Sequence, residues 1–164
     1  MFPEMIKKKY ELSEEAAVEL LKNGCYGVLS TLSPDGYCYG VPLHHVMIGR
    51  RLYMHCAPKD GHKLEAIRNH PQVCYTVVDG RLMLLEGKRD TRYSSVCVFG
   101  KAFMVTDREE KAAALTAIIE KFDPVSMEWI QKYTQGDMPV GVIGMDIEHI
   151  SGKSSFLEGD VPEL

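Results

Sequence analysis

The spacing of hydrophobic and polar positions changes period several times along this chain, and each change marks an element. Ser13 stands before Glu14 and Glu15, a capping residue followed by acids that suit the positive end of a helix. Ala16, Ala17, Leu20 and Leu21 then share one helical face, and Gly24 supplies a stop. From there the pattern turns to strands. Cys25 to Leu32 is dense in β-branched and aromatic residues, and Ser33-Pro34-Asp35-Gly36 is a turn sequence. Tyr37 to Ile48 reads as a second strand, in which Pro42 lacks the N–H of an interior ladder and so implies an edge or a bulge. Gly49-Arg50 turns the chain into a third strand, Arg51 to Cys56. A short helix begins near Gly61, carries Leu64 and Ile67, and ends at Asn69-His70 ahead of Pro71.

Gln72 to Val78 is the fourth strand, and Asp79 to Arg92 is an irregular loop with some extended character. Tyr93 to Val105 is a long fifth strand with Gly100 as its expected bulge. Thr106-Asp107-Arg108-Glu109 fits a capping box, and Leu115, Ile118, Ile119 and Phe122 mark the buried face of the helix behind it. A shorter helix is expected over Met127 to Tyr133. Alternation then makes Val140 to Ile150 a sixth strand, and Gly152 to Leu164 is a polar tail for a partner to order. Strands that follow one another so closely pair most simply as an antiparallel meander. The expected fold is mainly β: a six-stranded antiparallel barrel, closed or nearly so, with peripheral helices. No βαβ alternation suggests a doubly wound sheet.

The 164 residues suffice for one domain with a real core, here taken as 1–164. A formal charge of -4 gives no field to attract nucleic acid or an anionic membrane. Lys7-Lys8-Lys9 is not followed by an apolar run, and no stretch approaches the roughly 18 apolar residues of a membrane span, so neither a secretory signal nor a membrane segment is expected. The cysteines (Cys25, Cys38, Cys56, Cys74, Cys97) are odd in number, form no C-x-x-C pair and sit in apolar runs. They read as buried free thiols of a cytoplasmic protein.

Several common sites are absent from the sequence. Gly152-Lys153-Ser154 resembles the end of a P-loop, but Ile147 stands where that motif needs glycine. There is no G-x-G-x-x-G after a strand, no H-E-x-x-H and no G-x-S-x-G. What remains is the strand-to-helix junction Gly61-His62-Lys63. Free N–H groups at a helix start attract anions, and a lysine there disfavours the isolated helix unless something negative binds. Read alone, Lys63 fits either an anion site or a solvated surface lysine. His44 and His45 are strand neighbours and point to opposite faces, so they cannot chelate one metal ion together, and no metal site is expected. Tyr93, Ser94 and Ser95 offer three hydroxyls at the start of a strand. His55 and Cys56 close the third strand, where His55 is the one candidate activator of a nucleophilic Cys56.

Three blocks together resemble the pyridoxamine 5'-phosphate oxidase-related flavin proteins, and within them the 5-nitroimidazole-resistance branch. The first is Tyr26-Gly27-Val28-Leu29-Ser30-Thr31 with Asp35-Gly36-Tyr37 and Tyr39-Gly40-Val41-Pro42. The second runs from Leu52-Tyr53-Met54-His55-Cys56-Ala57 through Gly61-His62-Lys63-Leu64, and the third is Tyr93-Ser94-Ser95-Val96 with Phe99-Gly100-Lys101-Ala102. The resemblance implies an FMN-binding split barrel that works as a homodimer, with each flavin between subunits. It places His62 and Lys63 at the flavin phosphate, beside His55, Cys56 and Ala57. Pro42, Leu43 and His44 would border the flavin ring, and Tyr93, Ser94 and Ser95 would complete the site. His62 and Ala57 replace an arginine and a threonine or serine found in many relatives, which loses the arginine fork and one hydrogen bond and leaves room for FAD. The tail beyond Gly152 contains no arginine, which argues against pyridoxamine phosphate oxidation. The expected activity is flavin-dependent reduction of a small molecule such as a nitroaromatic, with His44 near the reacting edge as catalytic residue. The alternative is a haem- or flavin-binding protein with no turnover of its own.

Overall fold

The computed structural model describes residues 2, 4–59, 61–79, 83–85, 90–126 and 139–156. The first helix, α1 (Glu14–Asn23), is capped by Ser13, whose hydroxyl accepts from Ala16 N at 3.2 Å. Gly24 ends it, though not by left-handed backbone, since its φ is -61°. Side chains instead take the last carbonyls of α1. His45 Nε2 donates to Leu21 O at 2.7 Å, and Lys121 Nζ donates to Lys22 O and Gly24 O at 2.8 and 2.7 Å. Glycine is needed at position 24 for room, because a Cβ there would stand 2.6 Å from Val77 Cγ1.

The strands are β1 (Tyr26–Leu32), β2 (Cys38–His44), β3 (Val46–Ile48), β4 (Arg51–Cys56), β5 (Gln72–Val78), β6 (Met83–Leu85), β7 (Asp90–Arg92), β8 (Ser94–Met104) and β9 (Gly141–Ser154). Seven form one sheet in the order β2-β1-β5-β8-β9-β4-β3, all antiparallel, and β6 and β7 pair as a separate hairpin. Gly36 and Gly49 turn the β1–β2 and β3–β4 hairpins with φ of 88° and 59°, which a side chain would strain. Pro42 does lie on an edge strand, and the β8–β9 register shifts between Phe99 and Gly100. The sheet curls so that residues of β1, β4, β5, β8 and β9 (Leu29, Met54, Tyr75, Val98, Met145) meet in one core with Leu21 of α1. The helix α2 (His62–Asn69) closes that core with Leu64 and Ile67. This is a split barrel.

The sheet has seven strands where the sequence pattern gave six, because Tyr37 to Ile48 is divided at His45. The His45 ring turns inward to reach Leu21 O and the Tyr75 hydroxyl, which interrupts the extended run. The irregular stretch from Asp79 contains the β6–β7 hairpin. The third helix, α3 (Arg108–Phe122), is capped one residue later than the Thr106 box implies: Asp107 accepts from Glu110 N at 2.8 Å. Its residues Ala114, Leu115 and Ile118 pack on Val46, Tyr53 and Val142 in a second core, with Phe122 at the margin.

The last strand does not stop at Ile150. It runs to Ser154, and buried Ser155 exchanges hydrogen bonds with the backbone of Tyr93, so this part of the expected tail is ordered within the chain itself. The helix expected over Met127 to Tyr133 lies outside the described residues. All five cysteines are free, but only Cys56 is buried, and Cys25 and Cys38 are exposed. Among the described residues no helix is long and apolar enough to cross a membrane.

Candidate functional site

The curl of the sheet brings β2 against β4, with α2 starting beside the gap between them. A pocket of about 210 Å³ opens there, lined by Tyr39 of β2, Cys56 at the end of β4, Ala57, His62, Lys63 and Leu64, with Gly61 and Lys59 at its mouth. The sequence puts the helix start at this spot for a simple reason. Gly61 is extended (φ -153°, ψ 170°), and its carbonyl accepts from Leu64 N and Glu65 N, so the helix begins at His62. The N–H groups of His62 and Lys63 come before any intrahelical acceptor, and no side chain caps them. Open space surrounds the position of a Cβ on Gly61. The half-buried Lys63 adds a positive charge whose field reaches His55 and Cys56.

Within that lining, the His62 ring is already engaged inside the chain. Its Nε2 lies 2.7 Å from the buried hydroxyl of Ser33, and the ring stands edge-on to Tyr39 with centroids 4.8 Å apart. The imidazole ties α2 to the β1–β2 turn. Ser33 and Tyr39 are thus parts of the site that the pattern of the sequence did not single out. Ser33 reads there only as a turn residue.

His44 and His55 face each other across the gap, with ring centroids 6.4 Å apart, and Phe122 of α3 packs on His44 at 4.7 Å. His55 is pushed below the usual histidine range, first by burial and then by the charges of His44 and Lys63. Cys56 is pushed up by burial, against the opposing pull of Lys63 and Lys111. A buried thiol of raised pKa is a poor nucleophile at neutral pH. His45, in contrast to exposed His44, is wholly buried. The Tyr75 hydroxyl lies 2.7 Å from Leu43 O and 2.9 Å from His45 Nδ1, so the Leu43 carbonyl already has a partner inside the chain. Pro42 is exposed on the outer side of the edge strand.

Tyr93, Ser94 and Ser95 lie elsewhere. Ser94 pairs with Ser154 at the far end of β9, whereas Cys56 pairs with Gly141 at its start. The two places are separated by most of a 14-residue strand, roughly 40 Å along its path at about 3.3 Å per residue. Ser94 is buried with its hydroxyl 2.8 Å from that of Ser154. Both line a larger cavity of about 660 Å³, with walls from Leu20, Tyr26, Val77 and Val78. The chain therefore holds the expected site residues as two separate groups.

Comparison with known proteins agrees with this geometry at the level of fold. A 5-nitroimidazole antibiotic resistance protein candidate from Bacteroides thetaiotaomicron is 21% identical, with 88% of this chain and 86% of that one covered at a TM-score of 0.73. An FAD-binding protein from Mesorhizobium loti is 23% identical over 89% and 97% of the two chains, at a TM-score of 0.64. A flavocytochrome from Azotobacter vinelandii is 19% identical over 96% and 76%, at a TM-score of 0.74. No curated protein sequence matches the chain. The family model described as pyridoxamine 5'-phosphate oxidase matches residues 13–154, from the cap of α1 to the end of β9. The chain belongs to the pyridoxamine 5'-phosphate oxidase family.

Proposed function

We propose that this chain binds a flavin nucleotide by its phosphate at the start of α2 and works as a flavin-dependent oxidoreductase on a small molecule. The observation that carries the reading is the pocket beside Gly61, where uncapped N–H groups converge with half-buried Lys63. Such a pocket suits a phosphate in size and charge. Lys63 and the backbone of His62 and Lys63 would hold the phosphate, with Cys56 and Ala57 as the adjoining wall, while His44, His55 and the edge of β2 from Pro42 would border the ring. The flavin would carry the electrons. His44, exposed at the gap with Phe122 against its ring, would be the group that gives or takes a proton beside the substrate.

The reading includes a homodimer. The Ser94–Ser95 group lies far from Lys63 within one protomer, so a second copy would have to supply it to complete the site. The outward face of the sheet offers a surface for that contact, with Tyr26 62% and Val78 63% exposed beside Val28 and Leu32. Nitroaromatic compounds are the first substrates to try, since the candidate from Bacteroides thetaiotaomicron shares the fold. A reducing cytoplasm suits the five free thiols.

The test is the visible spectrum of the purified protein, followed by titration of the stripped protein with FMN and FAD. Flavin bands are expected, and Lys63→Ala should weaken flavin binding by about tenfold, the loss of one charge-assisted contact. A Soret band without flavin would favour the haem-binding alternative, to which the FAD and haem binding protein from Mycobacterium smegmatis lends a precedent of fold. A colourless protein that takes up neither would end both readings. Light scattering that shows a monomer with flavin bound would remove the dimer from the proposal.

A further inference from the structure

On the outward face of the sheet, away from the β2–β4 gap, two cysteines share one hydroxyl. Thr76 Oγ1 lies 3.8 Å from Cys74 Sγ and 3.7 Å from Cys97 Sγ. The register explains why. Thr76 is paired with Cys97 across β5 and β8, and Cys74 is two residues along β5 on the same face, paired with Phe99. The two thiols are diagonal neighbours on rigid central strands, and both are half-buried. Diagonal positions lie about 7–8 Å apart across a sheet. A disulfide wants Cα atoms within about 6.8 Å and an S–S bond of about 2.05 Å. The pair is therefore badly spaced for a direct bond.

An atom inserted between the sulfurs relieves that mismatch, because two metal–sulfur bonds of about 2.3 Å span more than twice the reach of a disulfide. No third His, Cys, Asp or Glu completes a cluster there, since no group of three such residues is found among the described residues. The described residues thus offer two thiolates here, which suits a centre satisfied by two ligands.

We propose that Cys74 and Cys97 form a dithiol site for a soft, thiophilic centre, either a two-coordinate metal ion such as Cu(I) or an organic trivalent arsenical. Binding of a hydrated aryl arsenical is a balanced exchange: two S–As bonds replace two As–OH bonds, each thiol gives up its proton, and two waters leave. No oxidant or reductant is needed. The thiols are unequal in a way that helps the first step. Their mutual interaction draws the Cys97 pKa down and pushes that of Cys74 up. Cys97 attacks first and Cys74 closes the chelate.

The test uses the full chain in its native oligomeric state, carrying Cys25→Ser and Cys38→Ser to remove the two exposed single thiols. Phenylarsine oxide should add once per chain by intact-mass spectrometry, remove two thiols from a thiol assay, resist excess monothiol and be released by a dithiol. Cys74→Ser or Cys97→Ser should weaken its retention at least 100-fold, and Cu(I) competition against a chromophoric chelator should follow the same variants. If a serine variant fails to fold by circular dichroism, the alanine variant replaces it. Three results would overturn the proposal: no adduct on the native protein, an adduct that survives loss of either cysteine, or ready formation of a Cys74–Cys97 disulfide with diamide. The proposed dimer contact lies on the same face, so a dithiol sealed by a second copy would give the first of these. Flavin binding is read separately by its spectrum and is unaffected by either outcome.

Discussion

Acid should destabilise this protein through one buried histidine, by an amount its surroundings set. His45 has no exposed surface. Burial holds its pKa down to about 4, helped by the nearby charges of Lys121 and His44 and opposed by its hydrogen bond to Leu21 O. With Nε2–H donated to that carbonyl, Nδ1 of the neutral ring carries no proton and faces the Tyr75 hydroxyl, whose single proton is directed at Leu43 O. The folded chain thus binds no proton here until the pH falls toward 4, whereas the unfolded chain binds one below the ordinary value of 6.5. Where the unfolded state holds more protons, stability falls as the pH falls. The window is pH 6.5 to 4, and across all of it the loss approaches about 3 kcal/mol at 1.36 kcal/mol per pKa unit. His55, also depressed, adds a loss of the same sign. The measurement is urea unfolding followed by circular dichroism from pH 7 to about pH 4.5, for the wild type and His45→Gln. Glutamine keeps a donor for Leu21 O but cannot titrate. Wild type should lose about 2 kcal/mol more than the variant over that range. Parallel profiles for the two proteins, or an NMR titration of His45 with its midpoint above pH 6, would refute the reasoning.

Three further perturbations follow from particular contacts. Lys121→Met removes an ammonium that donates to Lys22 O, Gly24 O and His45 O at 2.8, 2.7 and 3.2 Å, and should cost about 2 kcal/mol in chemical unfolding, with Lys121→Arg recovering part of it. Gly100→Ala would put a Cβ 2.0 Å from Asp146 O, a backbone atom that cannot swing aside, so a loss of about 3 kcal/mol or failure to accumulate soluble protein is expected in expression and thermal melts. Tyr53→Phe deletes the hydroxyl that donates to Glu110 at 2.6 Å while leaving the Arg51–Glu110 pair in place, and should cost about 1 kcal/mol by the same measurements.

Legibility in the sequence followed the range of the interaction. α1, the turns at Gly36 and Gly49, the edge position of Pro42 and the bulge at Gly100 all announce themselves locally, through a cap, a turn sequence, a missing donor or a glycine inside a strand. The break at His45 does not. Its cause is a pair of acceptors and donors 24 and 30 residues away, Leu21 O and the Tyr75 hydroxyl, and alternation alone cannot reveal them. The same holds for the end of β9: Gly152 to Ser154 looks like the start of a polar tail until the pairing with Ser94 to Val96 is seen. For the candidate site, Gly61 and Lys63 were visible as a helix start bearing a misplaced cation. His62 was visible too, but its tie to Ser33 was not, since a ring can turn toward a partner 29 residues away without altering any local pattern.

That tie changes the meaning of the histidine beside Lys63. As a substitute for arginine at a phosphate, His62 would be a weak and pH-dependent ligand. As a strut between α2 and the β1–β2 turn, it contributes rigidity, and on the proposed reading the affinity for an anion would fall to Lys63 and to backbone donors that do not titrate. The charges around the gap point the same way. Lys63 and Lys111 both bear on Cys56, and His44 and Lys63 add to the burial that disfavours a proton on His55. These cationic influences converge in a chain whose formal charge is -4. On the proposed reading, a phosphate entering the pocket would be favoured by these nearby positive charges. On that reading, the grip on a phosphate would rest on Lys63 and the backbone donors at the start of α2 more than on which residue stands at position 62.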